Sequence, residues 1–250
     1  MLQTIAILSP QTKAGPEMRC LIVLPTYNER ENLRAMIESI QQHAPAADIV
    51  VVDDESEDGT GALADELSHE QPERVFVIHR PHKDGLGRAY VAGFKFALTR
   101  NYEVIVQMDV DFSHDPSYLP QFFEHIRGHD LVVGSRYLKG ISVVNWDLKR
   151  LILSRAATRY VRFITRLPLT DATSGFKCWR REALEAIDLD KIFSGGYLFQ
   201  VEMSYRTHQK HFRIEEIPII FVERRLGRSK MDWGIIAEAI LGVIRMRLRR

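Results

Sequence analysis

The sequence predicts an α/β protein with a mostly parallel central sheet flanked by helices. In the first half of the chain, short runs of apolar and β-branched residues alternate with stretches of about 10 to 15 residues in which apolar side chains have a helical spacing. Strands and helices that alternate in this way join through right-handed crossovers into a parallel sheet. Such sheets bind ligands beyond the carboxyl ends of their strands, so we expect function in the loops that follow the strands.

The spacing of apolar residues predicts each early element. Apolar side chains from Leu33 to Ile40 recur at i, i+3, i+4 and i+7, which predicts the first helix. Asp115 followed by Pro116 predicts the start of the fourth helix, because Asp caps helix N-termini and Pro favours the first helical position. The predicted strands cover residues 20–24, 49–52, 75–78, 104–108 and 131–133.

The second half of the chain is less regular but has the same kinds of element. Its pattern predicts a long basic helix over 146–167, a strand over 175–179, a helix over 198–208 and an apolar helix over 233–248. Residues 214–222 read as a strand in which Pro218 indicates a sheet edge or a bulge. We interpret residues 1–18 as a loose leader and residues 19–250 as one domain, with a nucleotide-binding half over 19–135 and an acceptor-binding half over 136–250.

Composition narrows the class of protein. With 45% hydrophobic and 27% charged residues in 250, the composition argues against a disordered, fibrous or integral membrane protein. Cys20 and Cys178 are the only cysteines, too few for a disulfide framework, and no Cys/His spacing indicates zinc. The N-terminus is a poor secretory signal, so we expect a cytoplasmic protein.

Charge is distributed unevenly along the chain. Residues 1–125 hold 10 Lys and Arg against 20 Asp and Glu, whereas residues 126–250 hold 24 against 13. A cleft between such halves suits a metal ion on one wall and a phosphorylated ligand on the other. The alternative is ordinary solvated surface charge.

Two carboxylates follow the fourth predicted strand. In extended backbone, residues i and i+2 point the same way, so Asp109 and Asp111 can face one point at the sheet edge. Carboxylate oxygens are suitable ligands for Mg²⁺ or Mn²⁺. A solvated turn is the alternative for an isolated Asp-x-Asp, but the preceding strand disfavours it.

The ends of strands one and two also carry candidate ligand groups. Asp54 follows strand two and can accept from a nucleotide base or ribose. Tyr27 can stack on a base, and Glu29 is placed for a ribose, although this segment could simply start a helix. The turn after strand one has neither the glycine pattern of dinucleotide-binding folds nor a phosphate-binding loop. Other residues must therefore bind the diphosphate of a nucleotide.

Basic residues of the second half can bind this diphosphate, since Arg binds phosphate with two hydrogen bonds and Lys binds it as a point charge. For Arg225 and Arg228, a solvated surface position is the alternative. The nine histidines form no spaced ligand set, and none is assigned. The basic candidates are Arg136 after strand five and Arg224, Arg225, Arg228 and Lys230 before the last helix.

Taken in order, these blocks resemble the polyprenol-phosphate (dolichol-phosphate) mannosyltransferases, within the inverting, metal-dependent GT-A nucleotide-sugar glycosyltransferases. The likeness runs from about residue 19 to the C-terminus. It rests on Pro25–Glu29, Asp53-Asp54, Gly85-Leu86-Gly87, Met108–His114, Gly134–Tyr137, Trp146–Arg150, Ser174-Gly175-Phe176, Gly196–Met203 and Ser229-Lys230.

The resemblance implies a GT-A fold, a GDP-mannose donor, a polyprenyl phosphate acceptor and a divalent metal, Mg²⁺ or Mn²⁺, held by Asp109 and Asp111. Ser113 stands where some relatives carry a metal-binding Gln and is a third candidate ligand. Arg136, Arg224 and Lys230 would hold phosphates. The implied donor-binding residues also include Pro25, Tyr27, Glu29, Val52, Asp54 and Val110.

The chain departs from the family pattern at two loops. Glu55 replaces the Gly that usually follows the Asp-Asp pair, and the Gly-rich turn after the Gly-Ser-Arg block is reduced to Gly140-Ile141-Ser142. The first change affects the shape of the loop expected to bind the nucleotide. The second affects the loop expected to bind the acceptor. No membrane-spanning tail follows, so the chain resembles the short, catalytic-only version, and the need for a membrane-anchoring partner subunit stays open.

The predicted reaction transfers mannose to a polyprenyl phosphate with inversion, at the cytoplasmic membrane face. The basic helix over 146–167 and the last helix suit anionic lipid headgroups, and the alternative is a core-facing helix with a basic solvent side. A UDP-sugar donor or a hydroxyl acceptor is the second hypothesis, with Asp171 as the candidate base. A non-catalytic basic module that binds nucleic acid or membrane is the third, and the acidic strand ends argue against it.

Overall fold

The computed structural model describes residues 18–222 and 233–248 and, within the second range, side chains from Ile240 onward. The strands are β1 (Cys20–Thr26), β2 (Asp48–Asp53), β3 (Val75–His79), β4 (Val104–Gln107), β5 (Leu131–Ser135), β6 (Val143–Val144), β7 (Lys177–Arg180), β8 (Ile214–Pro218) and β9 (Phe221–Val222). The helices are α1 (Arg30–His43), α2 (Thr60–Glu70), α3 (Leu86–Leu98), α4 (Leu119–His125), α5 (Leu148–Thr165), α6 (Arg181–Glu185), α7 (Gly196–Gln209) and α8 (Trp233–Leu248).

Seven strands form one sheet in the order β3-β2-β1-β4-β7-β5-β8. All neighbouring pairs are parallel except those of β7, which runs antiparallel to both β4 and β5. The predicted mostly parallel α/β sheet is therefore confirmed. Strand order reverses at β1, with β2 on one side and β4 on the other, and this is the point where open α/β sheets bind ligands.

Apolar side chains cover both faces of the sheet, because alternate strand residues point to opposite sides. Leu21 and Val23 of β1 pack into a core with α3, α5, α7 and α8. Ile22 and Leu24 pack on the other side with α1, α2 and α4. Helix α3 approaches β1 closely at Gly93, where a Cβ would lie 2.2 Å from Val23 Cγ1, so no larger side chain fits.

Several predicted boundaries change in the structure. The predicted strand over 214–222 is wrong as one element, because β8 ends at Pro218 on the sheet edge and the chain then pairs β9 with β6 in a separate ribbon. Proline has no N–H for a further ladder bond, which explains the break. The helix predicted over 146–167 is α5, capped by Asp147, whose side chain accepts from the Arg150 N–H. Asp115 caps as predicted, but it opens a 3-10 turn, Pro116–Tyr118, that leads into α4.

Two sets of predicted features lie outside the described residues. These are residues 1–17 of the leader predicted over 1–18, and the basic residues Arg224, Arg225, Arg228 and Lys230. Among the helices that the structure describes, none combines the length and the apolar character needed to cross a bilayer.

Candidate functional site

The candidate site lies at the carboxyl ends of β1, β2 and β4, which are neighbours in the sheet. The register pairs Pro25 with Val52 and Thr26 with Asp53 across β1 and β2, so the loops that follow both strands start side by side. Strand β4 borders the other side of β1, and the aspartate turn, residues 109–114, begins two residues after the end of β4. The sheet therefore brings the three acidic loops predicted from the sequence to one edge.

Asp109 is held by a tyrosine from α3. Its Oδ1 accepts a 2.6 Å hydrogen bond from the hydroxyl of Tyr90, which is fully buried and stacked on Phe199. Burial and the neighbouring Asp109 raise the pKa of Tyr90 well above its ordinary value, so the hydroxyl keeps its proton and remains a donor. Tyr90 therefore fixes the direction of the Asp109 carboxylate without neutralising it.

The rest of the aspartate turn is closed by hydrogen bonds from backbone N–H groups to side chains of the turn. The Asp109 N–H donates to His114 Nδ1 at 2.8 Å, and the Ser113 N–H donates to Asp111 Oδ1 at 3.0 Å. The His114 ring stacks on Phe176, with 5.0 Å between the centroids. Phe112 has a positive φ of 61°, which lets the chain fold back sharply between the two bonded pairs.

The donor set of this turn fits a hard divalent cation. Asp109 and Asp111 present carboxylate oxygens, the ligands that Mg²⁺ and Mn²⁺ prefer. No group of three or more His, Cys, Asp or Glu side chains within 18–222 and 233–248 has a metal-binding arrangement. Two carboxylates with the remaining positions filled by ligand phosphates is the pattern typical of Mg²⁺ in nucleotide enzymes.

The two aspartates at the end of β2 differ in their contacts. Asp53 accepts from Thr26 Oγ1 at 3.0 Å and from Ser56 Oγ at 2.6 Å, which ties the nucleotide loop to β1. Asp54 is 4% exposed and forms an ion pair with Arg80 at 2.5 Å. Burial raises the pKa of Asp54, and the charge and hydrogen bond of Arg80 oppose that rise. Asp54 is therefore a buried carboxylate in a fixed position.

Tyr27 and Glu29 lie after β1, as predicted. The Tyr27 ring is 37% exposed, and the Lys83 Nζ lies 3.4 Å from its centroid. Glu29 accepts from the Asn32 side chain at 2.8 Å, and its N–H donates to Thr60. The exposed face of an aromatic ring beside a half-buried carboxylate is suited to a nucleoside, through stacking and hydroxyl contacts respectively.

Glu55, which departs from the family pattern, adopts a backbone conformation that favours glycine. Its φ is +57°, in the left-handed region that glycine enters without steric cost. A side chain in this conformation costs about 1 kcal/mol. The loop therefore keeps the backbone path that a glycine would allow, although the residue differs.

Arg136 is held in a buried two-point ion pair. Its Nε and Nη2 donate to the two carboxylate oxygens of Asp171, each at 2.6 Å, and Nη2 also donates to Thr173. Burial acts against the guanidinium charge, but the Asp171 carboxylate outweighs it and raises the pKa of Arg136. Tyr137, Trp146 and Phe221 surround the guanidinium, with ring centroids 5.2–5.4 Å from Cζ.

Asp171 is not placed to act as a base. It is fully buried, and both of its oxygens accept from Arg136. A general base must reach the proton that it removes from the acceptor. The structure therefore gives Asp171 the task of orienting Arg136, and the hydroxyl-acceptor hypothesis loses its candidate base.

The described candidates fall into three groups at the sheet edge. Pro25, Tyr27, Glu29, Val52 and Asp54 line the β1 and β2 side, Asp109, Val110, Asp111 and Ser113 form the aspartate turn, and Arg136 follows β5. Sequence reasoning missed Tyr90, His114 and Arg80. His114 lies inside the Asp-x-Asp block and could have been flagged, whereas Tyr90 and Arg80 gave no signal because their partners are distant in sequence.

Solved structures show the same fold. Glucosyl-3-phosphoglycerate synthase from Mycobacterium tuberculosis, in complex with phosphoglyceric acid, superposes with a TM-score of 0.65 at 17% identity, over 93% of this chain and 79% of that one. A mannosyltransferase from Pyrobaculum calidifontis, in complex with GDP-Man and Mn²⁺, gives 0.64 at 16% identity, over 93% of this chain and 64% of that one. The predicted GT-A fold is therefore confirmed.

Sequence relatives agree with the resemblance drawn from the motifs. An undecaprenyl-phosphate mannosyltransferase from Micrococcus luteus is 49% identical over 91% of this chain and 93% of that protein. A polyprenol monophosphomannose synthase from Mycolicibacterium smegmatis is 46% identical over 94% of this chain and 89% of that protein. The family model described as glycosyl transferase family 2 matches residues 21–188. The chain belongs to glycosyl transferase family 2.

Proposed function

We propose that this protein transfers mannose from GDP-mannose to a polyprenyl phosphate, with inversion at the anomeric carbon. The observation that carries the proposal is the identity of 49% and 46%, over more than nine-tenths of the chain, to proteins named for this type of synthesis. The geometry supports it, because the loops after β1 and β2, the aspartate turn and Arg136 all follow strands at the same edge of the sheet.

In this proposal, Asp109 and Asp111 hold Mg²⁺ or Mn²⁺, with Ser113 as the third candidate ligand. The bound cation would neutralise charge on the departing diphosphate. Tyr27 stacks on the base and displaces Lys83 from its ring face, while Glu29 contacts the ribose. Pro25, Val52, Asp54 and Val110 complete the donor pocket.

The acceptor phosphate needs no protein base. A phosphate monoester has a second pKa of about 6 and is mainly a dianion at neutral pH. One of its oxygens forms the new bond to the mannose anomeric carbon as the bond to the GDP oxygen breaks, and GDP leaves with that electron pair. This chemistry agrees with the burial of Asp171, the only base candidate for a hydroxyl acceptor.

Arg136 is suited to a phosphate because only part of its guanidinium is engaged. Nε and Nη2 bond to Asp171 and Thr173, whereas Nη1 has no hydrogen-bond partner among residues 18–222. The ion pair fixes the plane of the guanidinium, so Nη1 needs no reorganisation to meet an anion. Arg224 and Lys230, which lie outside the described residues, are proposed phosphate ligands from the family resemblance alone.

Transfer from radiolabelled GDP-mannose to a short polyprenyl phosphate, with Mg²⁺ or Mn²⁺ and beside UDP-glucose, tests the proposal. We expect metal-dependent lipid-linked mannose and at least about tenfold less product from UDP-glucose, because a site that hydrogen-bonds one base rejects another. Label transferred from UDP-glucose alone would overturn the donor assignment but keep the reaction class. Transfer from neither donor would reject the proposed acceptor.

We also propose that α5 and α8 rest on an anionic membrane at its cytoplasmic face. The exposed side of α5 carries Leu148, Ile152 and Phe163, which are 68%, 59% and 83% exposed. Between these apolar residues lie four exposed basic residues and no acidic one: Lys149, Arg155, Arg159 and Arg162.

Helix α8 adds further exposed apolar residues beside α5. The Tyr160 hydroxyl of α5 donates to the Ile240 carbonyl of α8, and on α8 Leu241 and Leu248 are 68% and 78% exposed. Exposed apolar residues interleaved with Arg are typical of helices that lie in a membrane surface.

Vesicle sedimentation tests this membrane contact. The protein should pellet with vesicles that contain an anionic lipid and not with neutral ones, and each α5 arginine reversed to glutamate should weaken binding by at least about fivefold. The variant Arg155→Glu/Arg159→Glu tests this expectation. Arg100→Glu/Lys210→Glu carries the same change of charge on other exposed positions and should bind as the parent does. Equal pelleting of the two variants would reject the membrane face.

A further inference from the structure

Glu216 is a half-buried carboxylate outside the residues assigned to donor or acceptor. It lies on β8, the edge strand of the main sheet, directly opposite Val133 of β5. Its neighbour Glu215 points to the other face of the sheet, because successive strand residues alternate, and contacts His125 and His129 there. Within the described residues, the hydrogen bonds that Glu216 accepts all come from uncharged donors in the loop before β7.

The Glu216 carboxylate binds two consecutive residues of that loop. Oε2 accepts from the Thr170 backbone N–H at 2.7 Å, and Oε1 accepts from the Asp171 backbone N–H at 2.9 Å. Oε1 also accepts from the Thr170 hydroxyl at 3.0 Å. Hydrogen bonds to an ionised carboxylate are about twice as strong as those between neutral groups. Glu216 therefore fixes the backbone at Thr170 and Asp171 relative to β8.

The same carboxylate sets the direction of a chain of hydroxyl groups that ends beside Arg136. Because an ionised carboxylate cannot donate, the Thr170 hydroxyl gives its proton to Glu216 and accepts from another group. That group is the Ser135 hydroxyl, 2.8 Å away, which itself accepts from the Tyr137 N–H at 3.3 Å. Ser135 and Tyr137 flank Arg136, so this chain of bonds holds the backbone on both sides of it.

The loop that Glu216 holds is also the loop that holds the Arg136 guanidinium. The Asp171 carboxylate accepts from Arg136 Nε and Nη2, and its Oδ2 also accepts from the Arg136 backbone N–H at 3.1 Å. A shift of the Asp171 backbone would move all of these acceptors together. Asp171 therefore takes part in both sets of bonds, through its N–H with Glu216 and through its carboxylate with Arg136.

We propose that Glu216 is a positioning residue for Arg136, acting through Thr170 and Asp171. Asp171 fixes the guanidinium relative to the loop, whereas Glu216 fixes the loop relative to the sheet. Together they set the direction in which Arg136 Nη1 meets an anion. The inference rests on the proposed role of Arg136 as a phosphate ligand, and it gives the edge strand β8 a part in forming that site.

Glu216→Gln tests this role, because it keeps the size of the side chain. A glutamine head has one oxygen and one NH₂ group, and the NH₂ group cannot accept. It therefore leaves at least one of the loop donors unpaired and directs an N–H at another donor. We expect kcat/KM for mannose transfer to fall at least about tenfold, since a small displacement of a positioned group is enough for such a loss.

The matched control is Glu215→Gln. It makes the same change one residue earlier on β8, where the side chain contacts His125 and His129 and not the loop before β7. Its kcat/KM for mannose transfer should equal that of the parent. An equal fall of kcat/KM in both variants would show that transfer responds to any disturbance of β8, and would overturn the inference.

A double-mutant cycle separates the positioning of Arg136 from a general loss of structure. Glu216→Gln is added to the parent and to Arg136→Met/Asp171→Asn, in which no guanidinium is left to position. If Glu216 acts through Arg136, its replacement lowers transfer at least about tenfold in the parent and less than about twofold in the double variant. Equal losses in both backgrounds overturn the inference, because Glu216 would then act on transfer by another route.

The Arg136 Nε–H group gives a second readout, by NMR, that needs no transfer activity. In the ligand-free parent this proton should exchange slowly with water, because it is buried and bonded to Asp171. Glu216→Gln should speed the exchange at least about tenfold, and Glu215→Gln should leave it unchanged. Unchanged exchange in Glu216→Gln overturns the inference.

Thr170→Val decides the question if Glu216→Gln fails to fold. It removes the hydroxyl and keeps both backbone bonds to the carboxylate, so it is the milder change. It should speed exchange of the Arg136 Nε–H about threefold, and unchanged exchange would again reject the inference. If the parent transfers no mannose to a polyprenyl phosphate, the proposed function fails, and the exchange rates still decide the role of Glu216.

Discussion

Replacing Asp109 with Asn is expected to lower mannose transfer by about 10³-fold at any Mg²⁺ or Mn²⁺ concentration. Asn keeps the size of the side chain and can accept from the Tyr90 hydroxyl, so the turn should stay folded. What it removes is the negative charge that holds a divalent cation against the departing diphosphate. The measurement is the steady-state rate of lipid-linked product formation across a metal titration.

Two further variants separate the charge of Asp109 from its surroundings. Tyr90→Phe keeps the ring stack on Phe199 but removes the hydrogen bond to Asp109, and an orienting partner of this kind is worth about 10- to 100-fold. Asp115→Asn changes an exposed aspartate in the adjacent turn to an equally good helix cap, so its rate should match the parent. Full activity in Asp109→Asn would remove Asp109 from the metal site.

Removing the charge of Asp171 should produce the largest loss of stability. In Asp171→Asn the Arg136 guanidinium stays buried without its counter-ion, and such a break costs about 3–5 kcal/mol of unfolding free energy. Urea denaturation should show a lower midpoint with an unchanged slope. Transfer should also fall, because the plane of Arg136 is no longer fixed.

A double-mutant cycle shows whether the loss comes from the unpaired charge. Arg136→Met/Asp171→Asn removes both charges and should be more stable than Asp171→Asn alone, because nothing charged is left buried. Asp190→Asn breaks the exposed Lys95–Asp190 pair and should leave the urea midpoint unchanged, since solvent screens that pair. A double variant less stable than both single variants would show that packing, and not charge, holds this part of the site.

The sequence was sufficient for the parallel part of the fold. The runs before Pro25, Asp53 and Asp109 are continuous and mostly apolar, and polar residues follow them, so strands and ligand loops could be assigned together. The direction of β7 could not be assigned, because a four-residue strand carries no signal for its orientation. The sequence predicted that Pro218 marks a sheet edge or a bulge. It did not predict that the chain leaves the main sheet there and that β9 pairs in a second sheet.

The sequence likewise predicted some residues of the candidate site and not others. Asp109, Asp111 and Asp54 could be found because each follows a strand directly, so sequence position gives spatial position. The residues that hold the site in place come from elsewhere in the chain: Tyr90 of α3 bonds to Asp109, and Arg80 after β3 pairs with Asp54. Asp171, in the loop before β7, pairs with Arg136. Apart from the family resemblance, the sequence had no means of linking residues between 19 and 35 positions apart, since such contacts depend on the tertiary packing.

The antiparallel strand β7 limits the order in which the sheet can form while the chain is being synthesised. Strand β5 pairs with β7 and β8 and with no earlier strand in the described part of the chain, and β4 keeps one open edge until β7 arrives. Residues 1–135 therefore leave the exit tunnel with β5 unable to join the sheet. The polypeptide must reach at least Arg180, and then clear the tunnel, before the aspartate turn gains its neighbour strand. A nascent chain released earlier would expose a sheet edge that invites aggregation.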